Sequence, residues 1–114
     1  MKSLLLLSIV FLLVSCEYRT PSKERFENIT GISLPHSITV IEDEFQDHGA
    51  DYSLSYKVHL NENDCINLMK NIEESENWTK DKSDWIFYKK LDGITYDILF
   101  SADEYHFFYF ECLI

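Results

Sequence analysis

Glycine is scarce in this chain, with three residues in 114, and so are proline, with two, and cysteine, with three. So few glycines furnish no phosphate-cradling loop, and no Gly-x-Ser-x-Gly, His-Glu-x-x-His or Cys-x-x-Cys occurs. Base is in short supply as well: 10 lysines and arginines stand against 20 aspartates and glutamates, a formal charge of −10. Nucleic acid selects basic patches and is therefore not an expected partner. Long apolar runs are also missing. The longest, Leu4 to Val14, is interrupted by Ser8 and falls well short of the ~20 residues that a membrane helix needs.

The four histidines, His36, His48, His59 and His106, are scattered, and nothing singles out one serine or cysteine as a nucleophile. The expectation is a protein with no catalytic residues and no cofactor. The densest polar cluster is Glu42-Asp43-Glu44 with Asp47, His48 and Asp51. Its spacing matches no EF-hand and no second histidine stands nearby, so it reads as a solvated acidic connection and no metal is expected.

Lys2 precedes the apolar run, and the polar stretch Glu17-Tyr18-Arg19-Thr20-Pro21-Ser22-Lys23-Glu24 closes it, the layout of a secretory signal. The segment ends in Leu13-Val14-Ser15-Cys16, which resembles the lipobox of bacterial lipoproteins. The resemblance covers the first 16 residues. It implies a diacylglyceryl thioether on Cys16, cleavage before it and acylation of the new amino end. The protein is then anchored in the cell membrane or the outer membrane, with its domain outside the cytoplasm. Two or more acyl chains hold stably where one does not. An ordinary secretory signal, with Cys16 a plain thiol, is the alternative.

On the lipoprotein reading, residues 1–15 are removed, 16–21 form a lipidated tether and 22–114 make one α+β domain. The removed segment holds one lysine and no acid, so the mature chain carries a formal charge of −11. Aromatic residues, at 15%, argue for a folded core despite that charge. Cys65 and Cys112 remain as an even pair in an oxidising compartment, where a disulfide is permitted. Closing that loop would stabilise by around 4 kcal/mol in the chain-entropy account. Two separate buried thiols are the alternative.

The mature chain reads as α+β, an antiparallel β-sheet of about five strands packed on one main helix, in the order α-β-β-α-β-β-β. Thr20 or Ser22 caps a short first helix with Pro21 in its first turn, Phe26 and Ile29 inward and Gly31 at its end. A strand from Ile38 to about Glu44 and a loop from Phe45 to Asp51 lead to the clearest strand. There Tyr52, Leu54, Tyr56, Val58 and Leu60 alternate with polar residues. Asn61 opens a helix to about Asn77, with the inward stripe Cys65, Leu68, Met69 and Ile72. A polar link, Thr79 to Asp84, precedes three strands: Trp85 to Leu91, Ile94 to Phe100 and Tyr105 to Ile114. Asp92-Gly93 sets a two-residue turn that pairs Leu91 with Ile94, Phe87 with Ile98 and Trp85 with Phe100. The segment Phe26 to Ser37 is similar to the helix-to-strand lead of small uncharacterised bacterial lipoproteins, a resemblance that implies no activity.

The last hairpin decides which side chains are inside. A four-residue loop would put Phe107 opposite Ile98, whereas a three- or five-residue loop turns Phe108, Phe110 and Cys112 inward. Hydrophobicity favours the odd loop, with a core face of Trp85, Phe87, Ile94, Tyr96, Ile98, Phe100, Phe108, Phe110 and Cys112. Tyr105, Phe107 and Tyr109 then lie outside beside Leu99 and Ile86, as a binding patch or under the first helix.

The functional expectation is a membrane-anchored binding or interaction module of the cell envelope, acidic and with a basic protein partner. An immunity or inhibitor protein is its specific version, steered onto its target by charge. The expected partner-binding residues are Glu73, Glu74 and Glu76 with Tyr105, Phe107 and Tyr109. An envelope structural or assembly accessory that takes a neutral or sugar-containing ligand through aromatics is the alternative, and a small hydrolase is third.

Overall fold

A computed structural model describes residues 19–113. The signal segment, the lipobox and Cys16 lie outside the described residues. Among the described residues two helices, α1 (Ser22–Thr30) and α2 (Glu62–Glu74), accompany six strands. These are β1 (Thr39–Asp47), β2 (Tyr52–His59), β3 (Trp78–Asp81), β4 (Asp84–Leu91), β5 (Ile94–Ser101) and β6 (His106–Leu113). The fold is α+β, as the patterning implies, in the order α-β-β-α-β-β-β-β. All strand pairs are antiparallel and the sheet order is β1-β2-β6-β5-β4-β3, so β6 joins two hairpin-built halves.

The sheet has six strands rather than five because the expected polar link begins as β3. Trp78-Thr79-Lys80-Asp81 pairs with β4 through a turn at Lys82 and Ser83, with Lys82 at φ +58°. Only Trp78 of the four is buried, so the period-2 pattern has a single apolar member and is invisible at this length. Helix α2 ends before Ser75, which turns extended at φ −95° and ψ 139°, three residues short of the expected Asn77. That early stop frees Trp78 for the sheet.

Helix boundaries follow the capping chemistry. The Asn61 side chain accepts the Asp64 N–H at 2.8 Å and starts α2 as expected. Pro21, not Thr20 or Ser22, sits at the start of α1, and no side chain caps it. The Ser22 hydroxyl is buried and donates to Asp43 at 2.6 Å, tying the helix to β1 instead. Gly31 closes α1 at φ +72°, a left-handed conformation natural to glycine, and its N–H donates to the Glu27 carbonyl at 2.9 Å. The Asp92-Gly93 turn has φ of +53° and +80°, and the three pairs expected for the β4–β5 hairpin all form.

The β5–β6 hairpin overturns the expected register. Ser101 pairs with His106, so the loop is the four-residue Ala102 to Tyr105, and Phe100 and Ile98 face Phe107 and Tyr109. Phe107, Tyr109 and Glu111 therefore point to the helices, while Phe108, Phe110 and Cys112 point away from them. The cause is α1. Its Phe26 ring stacks on Phe107 with centroids 4.6 Å apart and meets Tyr109 at an angle at 6.1 Å, an arrangement open only to this register. Both helices pack on this one face, α2 through Leu68 and Ile72, over a buried sheet layer that includes Leu54, Val58, Phe87, Ile98 and Phe100.

Candidate functional site

One charge interrupts the apolar run of β6, and the fold places it inside: Glu111 is 2% exposed on the helix-covered face. A carboxylate taken out of water needs donors, and three converge on it. Arg25 Nη1 from α1 donates to Glu111 Oε2 at 2.5 Å, the Tyr52 hydroxyl donates to the same oxygen, and the Tyr109 hydroxyl donates to Oε1 at 2.6 Å. Arg25 Nε in turn donates to the Thr20 carbonyl at 3.1 Å. The cluster thus joins α1, β2 and β6 through one buried ion pair.

Burial and this carboxylate keep the neighbouring phenols protonated. Tyr52 is pushed up to about 12, first by loss of solvent and then by Glu111. Tyr109 is raised by the same two causes, and Tyr96 by burial and then by Glu111. Tyr56 reaches about 12 through burial and then Asp43 and Glu27. A free phenol titrates near 10. Below about pH 10 both the folded and unfolded chains hold these protons, and the fold keeps its full stability. Between about 10 and 12 the unfolded chain loses them first, so stability falls as pH rises. The expected result is a urea midpoint that drops on raising the pH from about 9 to about 11.5, with phenolate absorbance appearing as the chain unfolds. An unchanged midpoint over that interval would contradict this placement of the tyrosines.

Beside the ion pair, a cleft of about 490 Å³ opens between α1 and the β4–β5 hairpin, where the helix layer ends before the sheet does. Thr20, Arg25, Asn28, Ile29, Tyr52, Leu91, Ile94, Tyr96 and Glu111 line it.

The other face of the sheet carries no helix among the described residues. The pairing sets its cross-strand rows: Thr79, Ile86, Leu99, Phe108, Lys57 and Glu42 form one, and Tyr88, Asp97, Phe110, Ser55 and Glu44 the next. Leu99 is 40% and Tyr88 63% exposed, and a groove of about 360 Å³ runs over Ile86, Asp97, Leu99, Phe108 and Phe110. The rim carries Asp81 and Asp84 at one corner and Lys90 at another.

These placements change the expected site. Phe107 and Tyr109 are fully buried in the core and cannot meet a partner. The aromatic patch beside Leu99 and Ile86 exists, but Phe108 and Phe110 supply it. Tyr105 stays exposed in the loop before β6, at φ +56°. Glu73 and Glu74 at the end of α2, and Glu76 just beyond it, are exposed on the helix side, away from that patch. Strand alternation splits the acidic cluster: Glu42 and Glu44 face the open side, whereas Asp43 and Asp47 face the helices. Among the described residues no group of three or more histidine, cysteine or acidic side chains is arranged to hold a metal ion.

Histidines do not gather at one point. His59 and His106 pair across β2 and β6, with Glu104 3.3 Å from His106, while His48 stands at the opposite end of β2. Cys65 and Cys112 are both free thiols, one buried under α2 and the other on the open face of β6. The sheet lies between them, so of the two readings the separate thiols hold and the possible bridge is not formed. Burial raises the Cys65 thiol. In native protein a thiol reagent should therefore modify Cys112 well before Cys65, and equal rates would contradict the two-sided placement.

Sequence reasoning missed Arg25, Tyr52, Tyr96 and Glu111 as a site. The available signal was Glu111 itself, a lone acid within Phe107 to Leu113.

Among the described residues, fold and surfaces together define a two-layer α+β module with helices on one face of an antiparallel sheet and an open, partly apolar second face. Comparison with protein-family models, curated proteins and solved structures finds no match.

Proposed function

We propose that this chain is a membrane-anchored bacterial lipoprotein of the cell envelope, acting as a small acidic interaction module that holds a basic protein on the open face of its sheet. The carrying observation is the apolar patch of Ile86, Leu99, Phe108 and Phe110, which no helix among the described residues covers, where the other face is packed under two helices. An apolar patch rimmed by polar groups is the usual appearance of an interface. Charge selects the partner. Glu42, Glu44, Asp81, Asp84 and Asp97 share this face with only Lys57 and Lys90, so it attracts a basic surface and repels an acidic one. The acids of α2 add to the long-range field without touching the patch. The lipobox at Leu13 to Cys16 supports the anchor. An immunity or inhibitor protein, laid over the cleft of a basic toxin or hydrolase, is the specific form of this reading.

The test is site-specific photocrosslinking of the lipidated protein in its own membranes, from a reactive side chain at Leu99 and, separately, at Ile66 on α2. One adduct is expected from Leu99 and none from Ile66, fading as salt rises and lost when Lys is placed at both Glu42 and Asp97. Equal adducts from both positions, or a Leu99 adduct indifferent to salt and to charge reversal, would sink the proposal. Cys16→Ala should release the protein from the membrane fraction.

A further inference from the structure

We infer that the cleft beside α1 is a second binding site, on the helix side of the sheet, and that its ligand is a neutral polyhydroxy compound such as a saccharide unit. Its volume, about 490 Å³, lies within the range of small-molecule sites, roughly 300–1,000 Å³. The lining divides by chemistry. Ile29, Leu91 and Ile94 give an apolar wall, Tyr96 adds a half-buried ring with its hydroxyl, and Asn28 and Thr20 offer short polar groups. Such mixed walls suit a ligand with both C–H faces and hydroxyl edges.

Charge disfavours the ionic ligand classes. Among the described residues the one cation lining the cleft, Arg25, is already paired with the one anion, Glu111, at 2.5 Å, so these walls are formally neutral. An anionic ligand would have to draw Arg25 from a buried carboxylate while entering a chain of charge −10. A cationic ligand would need a free carboxylate, but Glu111 accepts from three donors. A neutral ligand meets neither obstacle. It can use the guanidinium: among the described residues two of the five N–H groups of Arg25 are engaged, through Nε and Nη1. The ion pair then holds Arg25 in place for a hydroxyl to accept from it, and no group in the cleft must change its protonation.

The experiment is a titration of the full mature protein, in a zwitterionic detergent, followed by NMR at the Asn28 side-chain amide and the Arg25 Nε–H. The probes are cellobiose and N,N′-diacetylchitobiose, with glucose, glucose 6-phosphate and glucosamine as a neutral, anionic and cationic set. Saturable shifts at both groups are expected with at least one neutral disaccharide. Asn28→Ala, at an exposed position, should weaken binding about fivefold or more. Leu91→Trp, at the exposed cleft wall, should abolish it without disturbing the core. No saturable shift with either disaccharide, shifts that persist in Leu91→Trp, or tighter binding of the phosphate or amine than of glucose would each overturn the inference. Crosslinking from Leu99 reads the opposite face and is unaffected by any of these outcomes.

Discussion

Glu111→Ala is expected to lower the unfolding free energy by about 3–5 kcal/mol, the range found when one member of a buried ion pair is removed. Three donors would lose their acceptor at once: the Arg25 guanidinium and the hydroxyls of Tyr52 and Tyr109. The Tyr109 hydroxyl is fully buried in the native fold, with Glu111 as its acceptor. Small domains are stable by about 5–15 kcal/mol in total, so the variant should sit close to unfolding at room temperature. Urea denaturation followed by near-ultraviolet circular dichroism measures the loss. Arg25→Leu should cost less, because the Arg25 side chain is partly exposed and the two phenols continue to serve Glu111. Combining the two changes should cost clearly less than their sum, since each removes the same contact. A loss below about 1 kcal/mol for Glu111→Ala would mean that α1 is held by apolar packing alone.

A pair of substitutions one residue apart should give opposite results. Phe107→Asp places a charge among Phe26, Tyr56 and Phe100 with no partner, and the domain should fail to fold, a loss beyond about 5 kcal/mol. Phe108→Asp puts the same charge on the open face beside Leu99 and Lys57, and should change stability by about 1 kcal/mol. Expression, thermal unfolding and proteolysis of the two variants separate these outcomes. The odd-loop register predicts the reverse, a ruinous Phe108→Asp and a harmless Phe107→Asp. Phe108→Asp is also expected to abolish the Leu99 crosslink, which links the stability experiment to the interface.

Most elements of this fold are readable where the pattern is local. Tyr52 to Leu60 alternates cleanly, Asn61 and Asp64 stand at capping distance, and Asp92-Gly93 can form only a tight turn, so β2, α2 and the β4–β5 hairpin appear in the sequence. The inner face of β6 does not. Counting apolar residues ranks Phe108, Phe110 and Cys112 above Phe107, Tyr109 and Glu111, and the count inverts only when the phenols and the carboxylate are seen to satisfy one another. That satisfaction needs Arg25, 86 positions away along the chain. Strand β3 escapes for a different reason: it borrows its order from β4 and has little of its own. The apolar patch next to Leu99 was legible as a place but not in its residues, because its identity follows from the β6 register.

The position of β6 also sets the order in which the molecule can assemble. It is the last of the described strands and lies between β2 and β5. When the β1–β2 hairpin and the β3–β5 meander have been made, no ladder joins them, and the ring of Phe26 and the guanidinium of Arg25 still lack their β6 partners. The ladders that close the sheet are therefore long-range, and without this strand its two halves share no backbone pairing. A polypeptide so wired can be interrupted at one ladder: anything that holds β6 away from β2 and β5 leaves the sheet open along its middle.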